Sequence, residues 1–292
     1  MMSWNEIYQA MERYPPSFEN GGERLKIMKS LDRLICHLVK RVDEEDRSKL
    51  KPWLQEMVPF YRRRIDRCLD ALESTQVAEG VHLFKLYSSS VILKSGQGTV
   101  SLDFCQGPIN NGAEPEESDQ YESGFYLTAT QRDRLAKLVD VALITHRHHD
   151  HADFSLAKRL VAAGKPVIGP AQLRRQWPNL AHGITVPQYD TTQRFGPCEI
   201  RTHFGHQYAV SRTGPDGERY GMHDSDSIER SSETVRYLLR VGGITFLQSA
   251  ESHTKAYDWL VQAEEQGWSV DVLFKPGQEI YLQFRDFSVT LI

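Results

Sequence analysis

The feature that most constrains the fold is a short apolar run, residues 139–145 (VDVALIT), which leads directly into the sequence HRHHDH. A continuous apolar run of this length is typical of a β-strand that is buried on both faces. Four of the 11 histidines in the chain lie in the next six positions, from His146 to His151. Packing alone gives no reason for this concentration, so we expect a polar site at the end of an interior strand.

The spacing of these side chains indicates metal binding. His146 and His148 are two residues apart, Asp150 is two further on, and His151 follows at once. In a loop that leaves a buried strand, such side chains can converge on one point. Imidazole nitrogens and carboxylate oxygens are the ligands that Zn²⁺ accepts. The pair His146 and His148 and the pair Asp150 and His151 together predict two adjacent ions. A histidine-rich surface loop is the alternative, but the buried strand and the following helix start favour a built site.

The N-terminal part of the chain has a helical pattern. Apolar residues at three- and four-residue intervals predict helices over residues 20–42 and 52–72, with a kink or break at Pro59. Further along, Thr130 and Asp133 have the spacing of a cap for a short helix that ends at Leu138. We therefore expect a helical extension ahead of the strand-rich region.

From Gly80 onward, β-rich runs alternate with turn residues and with helical stretches. The pair Gly242-Gly243 suits a type I′ turn between two strands. The predicted strands form two groups along the chain, and each group is followed by helices. This order favours two packed sheets with helices outside over one doubly wound sheet. The sequence thus predicts an α/β (α+β) domain over residues 79–292, preceded by a helical extension over residues 1–78.

The string LITHRHHDH resembles the H-x-H-x-D-H motif of the metallo-β-lactamase superfamily, with the usual hydrophobic strand and threonine ahead of it. The resemblance spans about residues 80–280. It implies a four-layer αββα metallo-β-lactamase-like sandwich that binds metal through His146, His148, Asp150 and His151. The superfamily hydrolyses lactams, lactones, thioesters, phosphodiesters and amides and includes oxidoreductases, so the resemblance implies no particular substrate.

The resemblance also implies ligands further along the chain. A third histidine for the first ion is expected at the end of a later strand, where EIRTHFGHQY offers His206 as first choice and His203 as second. A bridging aspartate is expected after ITFLQS, where this chain has Glu251, one methylene longer. The last expected histidine, beyond VDVLFKP, has no counterpart. Either the second ion has fewer ligands, or the chain is shortened relative to its relatives, or another histidine substitutes, the candidates being His203, His223 and His253.

Other residues are candidates for supporting roles. Asp103, in VSLDF, falls where the family often has an aspartate behind the metal loop, and it could orient a ligand imidazole. A turn former at a strand end is the alternative interpretation of this residue. Aromatic residues on predicted loops are candidate substrate walls, with ordinary packing as the alternative, and they are Tyr121, Phe125, Tyr126 and Tyr208.

These features predict a metal-dependent hydrolase that uses a metal-bound hydroxide on an ester, lactone, amide or phosphodiester. The expected cofactor is Zn²⁺, one or two per chain, with Mn²⁺ or Fe as alternatives. Asp150 is either a ligand of the second ion or a base and proton shuttle. The alternative is a degenerate family member that binds metal or ligand without turnover, which Ala250-Glu251 and the missing last histidine favour. An iron redox member is disfavoured because no flavodoxin-like partner domain is present.

Charge and cysteine content limit the partners and the cellular location that we expect. Lys and Arg number 35 and Asp and Glu 39, a net charge of −4 that favours neither nucleic acid nor an anionic membrane. The expected partner is a small-molecule substrate. No apolar run has the length of a bilayer span, and the first residues lack the pattern of a secretory signal. The four cysteines form no CxxC pair. Together these features predict a cytoplasmic protein. The N-terminal helices could form a homodimer contact, cover the edge of the site or stabilise the domain.

Overall fold

A computed structural model of the chain describes residues 2–14, 19–39, 50–86, 89–104, 127–148, 151–207, 212–213, 219–220, 232–249, 257–275, 279–282 and 289–290. The helices in these segments are α1 (Trp4–Arg13), α2 (Gly21–Val39), α3 (Leu50–Ser74), α4 (Ala129–Leu138), α5 (Phe154–Ala162), α6 (Ala171–Gln176) and α7 (Tyr257–Glu265), with a 3-10 helix over Pro178–Gly183. Within these segments, no helix has the length and apolar character needed to cross a bilayer.

The strands form two main sheets. The first sheet contains β1 (Val81–Lys85), β2 (Val91–Ser95), β3 (Gly98–Leu102), β4 (Val141–Leu143), β5 (Val167–Ile168), β6 (Ile184–Thr185) and β15 (Val289–Thr290), in the order β15-β1-β2-β3-β4-β5-β6. The second sheet contains β7 (Thr192–Phe195), β8 (Cys198–Gln207), β11 (Ser232–Val241), β12 (Ile244–Gln248), β13 (Val272–Lys275) and β14 (Glu279–Leu282), in the order β14-β13-β12-β11-β8-β7. A short separate ribbon pairs β9 (Arg212–Thr213) with β10 (Arg219–Tyr220).

Three buried clusters define four layers. Between the sheets, residues such as Leu93 and Leu143 of the first sheet pack with Ile200 and Leu239 of the second. The outer face of the first sheet is covered by α3, α4 and α5, and its cluster includes Leu69, Leu72, Phe84, Leu135 and Leu156. The outer face of the second sheet is covered by α7, through Leu238, Leu247, Trp259 and Ala263. The predicted αββα arrangement is confirmed, and burial of each such side chain contributes roughly 1.5–3 kcal/mol.

The helices before β1 differ from expectation in one respect. Helix α3 continues through Pro59, so of the kink or break expected there the break does not occur, and the kink stays a prediction. Its C-terminal half contributes Ile65, Cys68, Leu69 and Leu72 to the same core as α4 and α5. This half of α3 is therefore part of an outer layer of the sandwich, while the division of the chain at residue 79 stays a prediction.

Helix α4 begins two residues earlier than the sequence suggested. Its N-cap is Thr128, not Thr130, and its side chain and that of Gln131 form both bonds of a capping box. The Gln131 amide also donates to Asp66 on α3, at 2.8 Å. This contact with a distant helix stabilises the earlier start. The turn at Gly242-Gly243 does follow the prediction, because both residues have positive φ (52° and 81°) between paired strands.

The strand directions bring several chain ends to one edge of the sandwich. Strands β3, β4 and β5 are parallel, so their carboxyl ends share an edge of the first sheet. In the second sheet, β11 is antiparallel to both β8 and β12, so the end of β8 lies beside the start of β11 (Gln207 with Ser232) and the end of β12 lies beside its middle (Gln248 with Tyr237). The segments that follow β3, β4, β8 and β12 carry most of the candidate site residues.

Candidate metal centre

The described residues of the histidine loop (residues 146–151) are held by backbone hydrogen bonds. The amides of His151 and Ala152 both donate to the carbonyl of His148, at 2.9 and 2.8 Å. The carbonyl of His151 accepts from the amide of Phe104, at 2.8 Å, which ties it to the segment after β3. His148 and His151 are therefore anchored to the folded scaffold.

The helix that follows the loop is anchored by a buried aspartate. Asp153 caps α5 by accepting from the amide of Leu156, at 2.9 Å. Its second oxygen accepts from Nε of Arg132 on α4, also at 2.9 Å. Because the Asp153 side chain is fully buried and paired, the exit of the loop is held in place.

Three imidazoles of the motif converge. Nε2 of His146 lies 3.1 Å from Nδ1 of His148. The rings of His146 and His151 have centroids 3.9 Å apart, and the rings of His146 and His148 have centroids 4.7 Å apart. His146 is fully buried and His151 is 5% exposed, whereas His148 is partly exposed, so the three rings lie at the edge of the core.

A single buried carboxylate holds this arrangement. Oδ1 of Asp103 accepts from the amide of Thr145, at 2.7 Å. Oδ2 accepts from the Thr145 hydroxyl at 3.0 Å, from Nδ1 of His151 at 2.9 Å and from Nε2 of Gln248 at 3.1 Å. Asp103 also has a positive φ of 52°, an unfavourable conformation for a non-glycine residue that these bonds hold in place. The structure therefore places Asp103 directly behind a motif imidazole.

The hydrogen-bond pattern sets the tautomers of two rings. The Thr145 hydroxyl has one hydrogen, and it donates that hydrogen to Asp103. Its oxygen, 3.0 Å from Nδ1 of His146, is then an acceptor, so neutral His146 carries its hydrogen on Nδ1 and turns an unprotonated Nε2 towards His148. An ionised Asp103 can only accept, so His151 also carries its hydrogen on Nδ1. Both rings thus have Nε2 as the nitrogen with a lone pair.

Side chains and backbone of the second sheet close the site from the other side. The amide of Val235, near the start of β11, donates to the carbonyl of Thr145 at 2.8 Å. The hydroxyl of the fully buried Tyr237 donates to the carbonyl of Ile144, at 2.9 Å. Burial, followed by the charge of Asp103, raises the pKa of Tyr237 well above its ordinary value, so this donor stays protonated. The two sheets are therefore joined at the residues immediately before the histidines.

The chemistry of the described donors fits a divalent cation. Two nitrogens that each lie about 2.05 Å from a tetrahedral zinc are separated by about 3.3 Å. The 3.1 Å between Nε2 of His146 and Nδ1 of His148 is close to that separation. Among the residues that the structure describes, no three His, Cys, Asp or Glu side chains form a complete metal site. The described residues thus supply two donors of a site that needs at least one more.

Most of the other candidate ligands lie outside the residues that the structure describes. Asp150, Glu251, His223 and His253 lie outside the described residues, as do the candidate substrate walls Tyr121, Phe125, Tyr126 and Tyr208. For His206 the structure describes the backbone: it is the ninth residue of β8 and pairs with Glu233 of β11.

The position of His206 in its strand matches that of core residues. The register of β8 with β11 is regular from residue 198 to residue 207. Position 206 therefore has the same parity as Cys198 and Ile200, whose side chains lie between the sheets. Its partner Glu233 is two residues from Val235, which bonds to Thr145. The backbone of His206 thus lies at the same edge of the sandwich as the histidine loop.

His203, the second choice, lies on the opposite face of β8. Its Nδ1 is 2.9 Å from Oδ1 of Asp190, and its ring stacks on Trp259 of α7 with centroids 5.1 Å apart. The side chain of His203 therefore faces the outer helical layer, away from His146. The alternation of CEIRTHFGH could have separated the two histidines from sequence, because residues 198, 200, 202, 204 and 206 share one face.

Two contributors to the site were not found by sequence reasoning. Gln248 and Tyr237 reach the site from the second sheet, and their partners are 145 and 93 residues away in the chain. Neither belongs to a recognisable local motif, so only the packing of the two sheets reveals them.

Comparison with known proteins gives structural matches only. No protein-family sequence model matches the chain, and no curated protein sequence matches it. The chain is structurally similar to metallo-β-lactamase fold proteins. One is the metallo-β-lactamase fold protein YhfI from Bacillus subtilis, with 16% identity and a TM-score of 0.35 over 64% of this chain and 61% of that chain.

Two further similar structures are a hydroxylase and a hydrolase. CmlA, a diiron β-hydroxylase from Streptomyces venezuelae, has 20% identity and a TM-score of 0.40 over 68% of this chain and 34% of that chain. An isothiocyanate hydrolase from Delia radicum gut bacteria has 13% identity and a TM-score of 0.40 over 66% of this chain and 69% of that chain. The chain thus spans less than two thirds of YhfI and about a third of CmlA. The four-layer arrangement follows from the packing within this chain.

Proposed function

We propose that this protein is a metal-dependent hydrolase that acts on a small ester, lactone, amide or phosphodiester. The observation that carries the proposal is the 3.1 Å approach of His146 Nε2 to His148 Nδ1, with the other nitrogen of His146 committed to Thr145. This arrangement places two imidazole nitrogens side by side at the edge of the core, at a separation close to that of two nitrogens on one zinc ion. Zn²⁺ is the first candidate, with Mn²⁺ or Fe as alternatives.

We assign the first ion to His146, His148 and His206. The first two are adjacent in the structure, and the backbone of the third lies at the same edge of the sandwich. The second ion is assigned to Asp150, His151 and Glu251. The support for this group is the bond between His151 and Asp103, because carboxylates commonly hold the second nitrogen of a metal-binding histidine.

A bound divalent cation would acidify a coordinated water and polarise the carbonyl or phosphoryl group of the substrate. The protein's own residues do the rest. Asp103 and Thr145 keep His146 and His151 in the tautomer that has a lone pair on Nε2. Asp150 is assigned either a ligand role or the role of a base that moves a proton to the leaving group.

The decisive experiment counts metal ions per folded chain by native mass spectrometry and screens esters, lactones, amides and phosphodiesters. We expect one or two ions with turnover of at least one class, and loss of both in His148→Ala. Asp150→Asn should lower turnover strongly while the first ion stays bound. His203→Ala is the matched control: it removes a histidine from the same strand as His206 but on the other face, so metal and turnover should be retained.

The alternative is a protein that binds metal or ligand without turnover, which the glutamate at position 251 favours. In the same experiment it predicts one ion or none and no hydrolysis of any class. Turnover that persists in metal-free His148→Ala protein would contradict the metal-bound hydroxide mechanism.

A further inference from the structure

Gln248 is a buried residue at the end of β12 that the proposed chemistry does not use. Its Nε2 lies 3.1 Å from Oδ2 of Asp103, and the two residues are 145 positions apart. The bond crosses from the second sheet to the first. It is the contact that brings the end of β12 against the carboxylate behind the histidine loop.

Among the described residues, the other donors to this carboxylate come from the histidine loop and from Thr145 directly before it. Thr145 donates through its amide and its hydroxyl, and His151 donates through Nδ1. The torsion that rotates a carboxylate is broad, so a carboxylate held only from one side can turn in its site. The amide of Gln248 is an additional donor from a different sheet, and it restricts that rotation.

We propose that Gln248 is a positioning residue for His151: it fixes the Asp103 carboxylate, which then holds the hydrogen of His151 on Nδ1. This inference rests on the proposed function only in taking His151 as a metal ligand. Gln248 also lies three residues before Glu251 in the chain. One side chain thus joins the two loops to which we assign the ligands of the second ion.

The alternative is that Gln248 only satisfies a buried polar group and stabilises the fold. Gln131 provides a matched control for that role, because it is also a buried glutamine whose amide donates to an aspartate, Asp66. It lies on α4, against α3, and makes none of the described contacts with the histidine loop.

The first test is made on metal-free protein. The ¹⁵N shifts of the His151 ring report its tautomer, so we compare the wild type with Gln248→Met, which keeps the side-chain volume. We expect the Nδ1-protonated form in the wild type. In Gln248→Met we expect a mixture of tautomers and exchange of the Nδ1 hydrogen that is at least 10-fold faster. Gln131→Met should lower stability and leave the His151 signals unchanged.

The second test asks whether Gln248 acts through Asp103. Zn²⁺ affinity for the second ion, measured by isothermal titration, should fall about 10- to 100-fold in Gln248→Met. In an Asp103→Asn background the same substitution should have no further effect. If Gln248→Met fails to fold, Gln248→Asn, which keeps an amide on a shorter side chain, is measured in its place.

Two results would overturn this inference. One is a folded Gln248 variant with unchanged His151 ring signals, and the other is an effect that adds fully to that of Asp103→Asn. Absence of Zn²⁺ binding by the wild type would count against the proposed function instead. The ring signals of the metal-free protein would still decide the role of Gln248.

Discussion

The carboxylate of Asp103 accepts a hydrogen bond from Nδ1 of His151 at 2.9 Å, across 48 residues of sequence. Both side chains are buried, in the segments that follow the neighbouring parallel strands β3 and β4. A buried carboxylate in contact with an imidazole fixes both the orientation of the ring and the position of its hydrogen. The hydrogen bond between Asp103 and His151 therefore fixes the direction in which Nε2 of His151 points.

Asp103→Asn should weaken metal binding while the fold persists. The amide cannot accept all the hydrogen bonds that the carboxylate accepts, so the His151 ring loses its fixed tautomer. We expect a fall in Zn²⁺ affinity of about 10- to 100-fold, measured by competition with a chromogenic chelator. Asp140→Asn is the control, because Asp140 also accepts from a strand amide, that of Thr99 at 2.8 Å, but at the opposite end of β4. Equal loss of affinity in both variants would contradict the prediction.

Two buried threonines should respond in opposite ways to replacement by valine. Thr145 and Thr234 are both fully buried. The hydroxyl of Thr145 bonds to Asp103 and His146, whereas that of Thr234 has no hydrogen-bond partner among the described residues. We expect Thr145→Val to lower the free energy of unfolding by about 1–3 kcal/mol and Thr234→Val to leave it unchanged or raise it. Urea denaturation of the two variants checks this, and a similar loss in both would refute it.

Two cysteines should make stability depend on pH above the neutral range. Burial raises the pKa of the thiols of Cys68 and Cys198 to about 12. An unfolded thiol titrates near pH ~8.5. Between about pH 8.5 and 12 the folded protein therefore binds more protons than the unfolded chain, so stability is fully present below this window and falls as the pH rises through it.

The measurement compares unfolding free energies at pH 7.5 and 9.5. Cys68→Ala should show a smaller difference between the two values than the wild type, because one of the two thiols is gone. Peptide-resolved alkylation gives an independent check, since both residues should react far more slowly in folded protein than in urea. Labelling of native Cys68 at the unfolded rate would show that its thiol is accessible.

The sequence was sufficient where the controlling interactions are local. The apolar run before His146 predicted the interior strand, and Gly242-Gly243 predicted the turn, because both patterns act over a few residues. The start of α4 was misplaced because the Gln131 contact with Asp66 on α3 favours Thr128 as the cap. The contact of Gln248 with Asp103 had no local signal at all. Strand alternation does separate His206 from His203, because the two positions lie on opposite faces of β8.

Tyr237→Phe should weaken the junction of the two sheets. The Tyr237 hydroxyl, fully buried between the sheets, donates to the carbonyl of Ile144, two residues before His146. Loss of this donor leaves a buried carbonyl without that bond, so the free energy of unfolding should fall by about 1–3 kcal/mol. Tyr189→Phe is the matched control: Tyr189 packs on Phe204 at the margin of the same core, and its change should stay within about 0.5 kcal/mol.

Tyr237→Phe should also change how the free energy of unfolding depends on pH in the alkaline range. Because burial raises the pKa of Tyr237 well above its ordinary value, the folded protein keeps this proton when the unfolded chain loses its own, near pH ~10. The stability contribution is present below that pH and is lost as the pH rises further, so Tyr237→Phe should have a shallower decline than the wild type. Identical declines above pH ~10 would mean that the hydroxyl is hydrated and does not hold the carbonyl before His146.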